Sequence, residues 1–396
     1  MAQPATASLM RSINRSAILD LLRQESPLAR TEIARRLNMS LPTVMRIVDE
    51  LLAEELVRPL GHAAAARGRP RALLEFSGET HAIIGIDLGG VNWIGAIANL
   101  TGAVQHEVEV PGNGQDAELN LERLLALISN LLSVPLDDGQ TLRGIGVGVP
   151  GLIRADDGSV TYAPSLGWRD LPLRDILTER FALPVFVEND VNLAALGEWG
   201  FGAGRGAHSL ACISVGTGMG AGIIQDGAIL RGFRQAAGEI GYLVPSADYL
   251  GKPYASFGHL ESLTASYGMA ERARRARGAE GVAAARNGVL TYDEVFAAAR
   301  AGTSWAQATI AQSVDYLSLA VLSVATVIDP ELIVLGGSAA RWADDLIEPI
   351  RRRLEGVMLY LPPLEASPLG RRAAVMGAIM LVLNGTTEAV VARRLT

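Results

Sequence analysis

The sequence predicts an α/β protein, with a winged helix-turn-helix followed by a body of two similar α/β lobes. Three observations carry this expectation. Residues 1–75 hold short amphipathic helices and then two strand-like segments. An apolar strand, a glycine turn and a returning strand occur twice, at residues 81–100 and 209–225. Each hairpin is followed by a glycine-ended apolar strand, at 144–151 and 332–337, and helical stretches such as 116–132 and 313–326 alternate with the strands. The boundaries drawn on this basis are 1–78 for the winged helix-turn-helix, 79–200 for the first lobe and 201–396 for the second.

Composition narrows the class. The 396 residues are 49% hydrophobic, enough for ordinary packed cores in two to four domains. No apolar run approaches the ~18 residues of a membrane span. Residues 1–10 lack a basic flank and an apolar signal core, so the expected location is the cytoplasm, with no membrane partner. Cys212 is the only cysteine, which excludes an intramolecular disulfide and a thiolate zinc cage. Its apolar flanks make it a core strand residue. The net charge of −7 divides unevenly, +3 over residues 1–75 and −10 over the rest, as suits a nucleic-acid module on an acidic body.

In the head, Ile18, Leu21 and Leu22 share one helical face within residues 14–23, and Ile33 and Leu37 share another within residues 30–37. After the turn at Asn38-Met39, Ser40 is a helix N-cap and Pro42 falls in the first turn, where a missing N–H costs little. Val44, Ile47, Val48, Leu51 and Leu52 form the buried stripe of this third helix. Ser40, Thr43 and Arg46 are then its candidate DNA readers in a major groove. The plainer reading is a small helical interaction module. Residues 56–60 and 73–76 read as wing strands, and Arg67, Arg69 and Arg71 between them are candidates for a minor groove.

In the body, the strand ending at Asp87 runs into Gly89-Gly90, and a second strand runs into Gly216-Thr217-Gly218-Met219-Gly220. Such glycine turns let backbone N–H groups approach an anion, and the aspartate can hold a metal. The strand at residues 184–187 delivers Asn189 and Asp190, an amide and a carboxylate suited to a polyhydroxylated ligand. The bland alternative is that one of them caps the apolar segment 191–196.

Taken together, Asp87-x-Gly89-Gly90, Gly148-Val149-Pro150-Gly151, Glu188-Asn189-Asp190, Gly216-Thr217-Gly218-x-Gly220, Gly238-Glu239-Ile240-Gly241 and Leu335-Gly336-Gly337 resemble the ROK family of repressors, open reading frames and kinases. The resemblance is to its transcriptional-repressor branch and spans residues 14–383. It implies an actin/hexokinase-like (duplicated RNase H-like) body in which Asn189, Asp190, Glu239 and Glu261 contact a sugar. Tyr242 and Ser165 stand where sugar-binding members carry histidine and often asparagine. Asp87, Gly89, Gly90, Gly216, Thr217 and Gly218 match nucleotide-phosphate loops, and Asp190 would be the general base if kinase chemistry were retained. The family's zinc motif is absent, because Tyr242, Lys252, Tyr254 and His259 fill the region of its ligands. No cofactor is therefore expected. Val91 replaces the threonine that follows the first glycine pair.

The resulting expectation is a sugar-responsive DNA-binding repressor, whose partners are operator DNA, a sugar or sugar derivative, and further copies of the chain as a homodimer or homotetramer. The competing expectations are an active ATP-dependent sugar kinase fused to a DNA-binding head, and a regulator signalled by a docking protein.

Overall fold

A computed structural model describes residues 7–63, 71–112, 114–254, 258–277 and 291–393. The head comprises α1 (Ala7–Glu25), β1 (Leu28–Ala29), α2 (Arg30–Arg36), α3 (Leu41–Ala53), β2 (Val57–Ala63) and β3 (Arg71–Phe76). Ser40 caps α3, its hydroxyl accepting from the Thr43 amide at 3.3 Å, with proline in the first turn. Val44, Ile47, Val48 and Leu51 are buried as their spacing predicts, while Leu52 is only partly so. β2 and β3 pair antiparallel as the wing, and β1 adds a short strand to the other edge of β3 that the sequence did not suggest.

The first lobe contains β4 (His81–Asp87), β5 (Asn92–Asn99), β6 (Val104–Pro111), α4 (Ala117–Leu132), β7 (Thr141–Val149), a small sheet of β8 (Leu152–Arg154), β9 (Ser159–Ala163) and β10 (Trp168–Leu171), then α5 (Leu173–Phe181), β11 (Val185–Asn189) and α6 (Asp190–Phe201). The second contains β12 (Ser209–Val215), β13 (Met219–Gln225), β14 (Ala228–Ile229), α7 (His259–Thr264), α8 (Ser266–Arg277), α9 (Tyr292–Arg300), α10 (Ser304–Ile328), β15 (Leu332–Gly336), α11 (Ala343–Leu354) and β16 (Leu364–Ala366). The last helix is α12 (Ala373–Arg393).

The two main sheets repeat one plan, β11-β7-β4-β5-β6 and β16-β15-β12-β13-β14. In each, three strands form an antiparallel meander, and two more add in parallel beside the first. Parallel strands that start together also end together, and ligands of open α/β sheets bind at those carboxyl ends. In the first sheet Asp87 stands opposite Gly148, and Gly148 opposite Glu188, so the chemistry-bearing residues come into one row.

α12 amends the boundary drawn at residue 201. Although it closes the chain, it packs against α6 and on the β4 and β7 strands of the first sheet. A Cβ on Gly377 would lie 1.7 Å from the Leu193 carbonyl oxygen, and one on Gly197 2.1 Å from that of Ala373, so these helices touch backbone to backbone. The second lobe's core gathers around α10, which is long and apolar enough to cross a bilayer. Here it serves as a core helix, with Val314, Leu317, Val321 and Val324 buried among α8, α9, α11 and the second sheet.

One apolar core runs from the head into the first lobe. Arg23 of α1 donates to the Met380 sulfur of α12 at 3.1 Å and lies over the Phe201 ring at 5.2 Å. A second joint surrounds Glu54. Arg15, almost wholly buried, pairs with its carboxylate, and Arg143 of β7 approaches the same group at 3.8 Å. His81 bridges the Glu54 carbonyl (3.1 Å) and the Thr141 hydroxyl (2.8 Å). The head is thereby fastened to the first lobe by packing and by charge.

Candidate functional site

The carboxyl ends of β4 and β11 bring Asp87 and Asp190 to either side of one backbone segment. A Cβ on Gly89 would sit 2.5 Å from Asp190 Oδ2 and 2.9 Å from Asp87 Oδ1, so only glycine fits between them. Gly90, at φ +78°, turns the chain out again into β5. The Gly89 amide donates to Asp87 Oδ1 at 2.8 Å, and the Val191 amide to Asp190 Oδ1 at 3.0 Å. Each carboxylate has one oxygen engaged by backbone. Burial holds both above the usual carboxylate range, and for Asp87 the Asp190 charge adds to it, as expected of neighbouring acids that resist ionising together.

Asn189 fulfils the capping reading as well. Its Oδ1 accepts from the amides of Val191 (2.9 Å) and Asn192 (3.0 Å), and its Nδ2 donates to the Gly151 carbonyl (3.1 Å). An amide group offers two N–H donors. One N–H therefore remains for a ligand, fewer than the sequence reading implied.

Opposite stand Glu239 and Glu261. Glu239 follows Gly238, which is locked against β13: the Ala221 amide donates to the Gly238 carbonyl at 2.8 Å, at φ +84°. Glu261, on α7, accepts from the Met219 amide at 3.1 Å and so ties the second glycine turn to the acidic cluster. Burial, then the charges of Asp190 and Glu261, pushes Glu239 up to about 7, and burial raises Glu261. A raised carboxyl favours the fold in its protonated form, and that contribution is lost as pH rises toward 7. Glu239→Gln should accordingly stabilise the protein at pH 8 by about 1–2 kcal/mol, a discounted figure for a partly exposed group, and hardly at pH 5. Thermal unfolding at the two pH values, without added sugar, checks this.

Gly216, Thr217 and Gly218 form the second turn, held by Gly216 N–H to Gly218 O (2.9 Å) and by the Ser266 amide to Gly216 O (2.8 Å), with Thr217 exposed. Ser165 lies apart in its contacts. It occupies the exposed turn between β9 and β10, whose neighbours Leu166 and Gly167 meet Asn120 and Gln115 beside α4. Val91 is largely exposed and brings no hydroxyl to the first turn.

Two features escaped the sequence reading. Glu188, buried in the same strand end, takes the Arg231 guanidinium at 2.7 Å and the Asn189 amide at 2.9 Å, an ion pair between the lobes at the cleft. A carboxylate within an apolar strand demands a partner, and that was the available signal. The other is the loop where the family's zinc motif would fall. Tyr242 meets Tyr254 edge-on at 5.1 Å, Tyr249 meets His259 at 5.0 Å, and His259 Nε2 hydrogen-bonds to the Lys252 carbonyl at 2.9 Å. Aromatic edge contacts brace the segment carrying Glu239 and Glu261. No group of three potential ligands for a metal occurs among the described residues. Elemental analysis after dialysis should find no stoichiometric zinc, and one tightly held zinc per chain would contradict this account.

A cavity of about 390 Å³ between α9, α10 and α11 lies away from these acids. Its arginines are already paired, Arg300 with Asp345, Arg353 with Asp315 and Arg352 with Glu348, so it presents no ready anion site.

On the head, Arg46 is exposed and makes no ion pair among the described residues. Thr43 is half-buried, and its hydroxyl lies 2.7 Å from that of Ser40, so both groups are partly spent on the cap. Arg67 and Arg69 lie outside the described residues. Arg71 opens β3, and its side chain is outside them too.

Comparison with known proteins places these two regions. Residues 83–384 match the ROK family and residues 11–58 a winged helix-turn-helix DNA-binding domain. A xylose repressor of Caldicellulosiruptor bescii is 30% identical over 95% of this chain and 97% of its own. A glucokinase of Halalkalibacterium halodurans is 35% identical over 76% of this chain and 93% of its own. A ROK family transcriptional regulator described as a homologue of the E. coli MLC protein superposes with a TM-score of 0.83 at 25% identity, covering 98% of this chain and 99% of that one. With a winged helix-turn-helix fused to a duplicated α/β body that carries each of these glycine and carboxylate motifs, the chain belongs to the ROK family.

Proposed function

We propose that the protein is a sugar-responsive repressor that binds operator DNA through its head and a sugar or sugar derivative in the cleft between its lobes. One observation carries this reading. The likeness to the xylose repressor spans head and body together, 95% of the chain, whereas the likeness to the glucokinase spans 76%. The ligand's hydroxyls meet Asp190 on one side and Glu239 on the other, with Glu261 behind the second glycine turn and Asn189 offering its remaining N–H. Carboxyls held near neutrality in their titration both donate and accept hydrogen bonds, which suits hydroxyls that do the same. Tyr242 at the rim completes the candidate contacts, whereas Ser165 stays apart on the β9–β10 turn. A sugar bridging two lobes favours whichever lobe arrangement it fits better, and the head responds because it is fastened to the first lobe. The protein acts in the cytoplasm as a homodimer or homotetramer, matching operator symmetry.

A second reading, an ATP-dependent sugar kinase with Asp190 as general base, is favoured by the pairing of Asp87 and Asp190 around Gly89. One experiment separates the two. The full chain is titrated with xylose, glucose and their phosphates, and both operator affinity and phosphate transfer from ATP are measured. The repressor reading expects a sugar that shifts operator affinity with negligible turnover. Robust turnover with operator affinity indifferent to every sugar overturns it.

A further inference from the structure

The exposed side of α3 is short of polar readers. Ser40 and Thr43 hydrogen-bond to each other at 2.7 Å, and Asp49 is paired with Arg30 at 2.8 Å. Arg46 remains. Beside it, Leu41 and Met45 are 39% and 48% exposed, although the opposite side of the helix buries Val44, Ile47, Val48 and Leu51 completely. Apolar side chains one turn apart share one face of a helix, and as a contiguous patch they gain by contact with an apolar group of a partner. Leu41 and Met45 also line a groove of about 210 Å³, shared with Ala29 of β1, Arg30 and Thr31 of α2 and Ala72 of the wing. It lies at the cap end of the helix that a winged helix-turn-helix places against a duplex.

In a major groove the one apolar feature of a base edge is the thymine C5-methyl group. We propose that Met45, with Leu41, reads thymine methyls, so that the operator half-site combines a guanine facing Arg46 with thymines facing the apolar pair. Arg46 follows Met45 directly and leaves the helix about 100° around, so guanine and thymine are neighbours. Leu41 and Met45 are separated by about 6 Å along the helix, close to two base-pair steps of ~3.4 Å, which sets the thymine spacing. The proposal rests on the DNA-binding role of α3.

The test uses the full chain and a duplex selected by it from a random pool. Each thymine is replaced singly by uracil, which removes only the methyl group. At one or two positions, within about two steps of each other, uracil should weaken binding about three- to fivefold, the worth of one buried methyl. Met45→Ala should weaken binding similarly and no longer distinguish thymine from uracil at one of those positions. Arg46→Ala should keep the uracil effect while losing the guanine preference. Met45 is half exposed, so the alanine variant leaves the core intact, and the uracil series needs no variant. Specific binding indifferent to uracil at every thymine, or full uracil sensitivity retained by Met45→Ala, overturns the thymine assignment alone. Failure of the full chain to select any duplex overturns the DNA-binding role of α3, and the thymine assignment with it.

Discussion

Asp190→Asn should leave operator affinity unchanged in the absence of sugar and raise the sugar concentration needed for half-maximal response by about 10–100-fold, the worth of a hydrogen bond to a charged group. The fold tolerates the exchange. The asparagine carbonyl can take over the Val191 amide that Asp190 Oδ1 accepts at 3.0 Å, and its N–H₂ then lies near Asp87, where it relieves the repulsion of two acids. What changes is the group facing the ligand, from a carboxyl oxygen that accepts, and also donates when protonated, to an amide N–H₂ that only donates. Anisotropy of a labelled operator, titrated with the sugar found by screening, reads both quantities. A variant whose sugar response matches the parent would remove Asp190 from the ligand site.

Much of this arrangement is legible in the residues themselves. Ser40 with Pro42 marks the start of α3 because a capping hydroxyl and a residue without an N–H suit only that end of a helix, and Asp116 marks α4 in the same way, accepting from Leu119 at 3.1 Å. The strand, glycine-turn, strand pattern locates β4, β5, β12 and β13, and its repetition foretells two like sheets. The C-terminal return was not legible. α6 and α12 are largely apolar, without polar residues gathered on one face, and carry glycines at their crossing, so no periodic face says which sheet they cover. Long-range charge pairs escape for a related reason. Glu188 and Arg231, or Arg15 and Glu54, are separated by tens of residues, and only the fold shows which arginine, of 34, meets which acid.

The largest loss of stability is expected from Glu54→Ala. Arg15 is 1% exposed, and Glu54 supplies its carboxylate. Arg143 lies 3.8 Å from the same group and is itself largely buried, so removing the acid leaves two guanidinium groups facing each other. Taking one partner from a buried pair costs about 3–5 kcal/mol, because the remaining charge loses both its counter-ion and its water. Glu50, 4.0 Å from Arg15 and already bound to Arg11, is too far and too committed to replace it. Replacing both ends, Arg15→Met with Glu54→Leu, should recover most of the loss, since apolar groups of similar length need no counter-charge. Urea denaturation followed by fluorescence, with Arg15→Met, Glu54→Leu and their combination forming a double-mutant cycle beside Glu54→Ala, measures the coupling. A cost below about 1 kcal/mol for Glu54→Ala would mean that the pair behaves as a solvated surface contact. Because Glu54 ends the helix that begins at the Ser40 cap, and Arg143 belongs to an inner strand of the first sheet, weakening this joint should also lower the sugar response of operator binding at temperatures where the head remains folded. An unaltered response in the destabilised variant would assign the communication between cleft and head to the Arg23 contact with α12 instead.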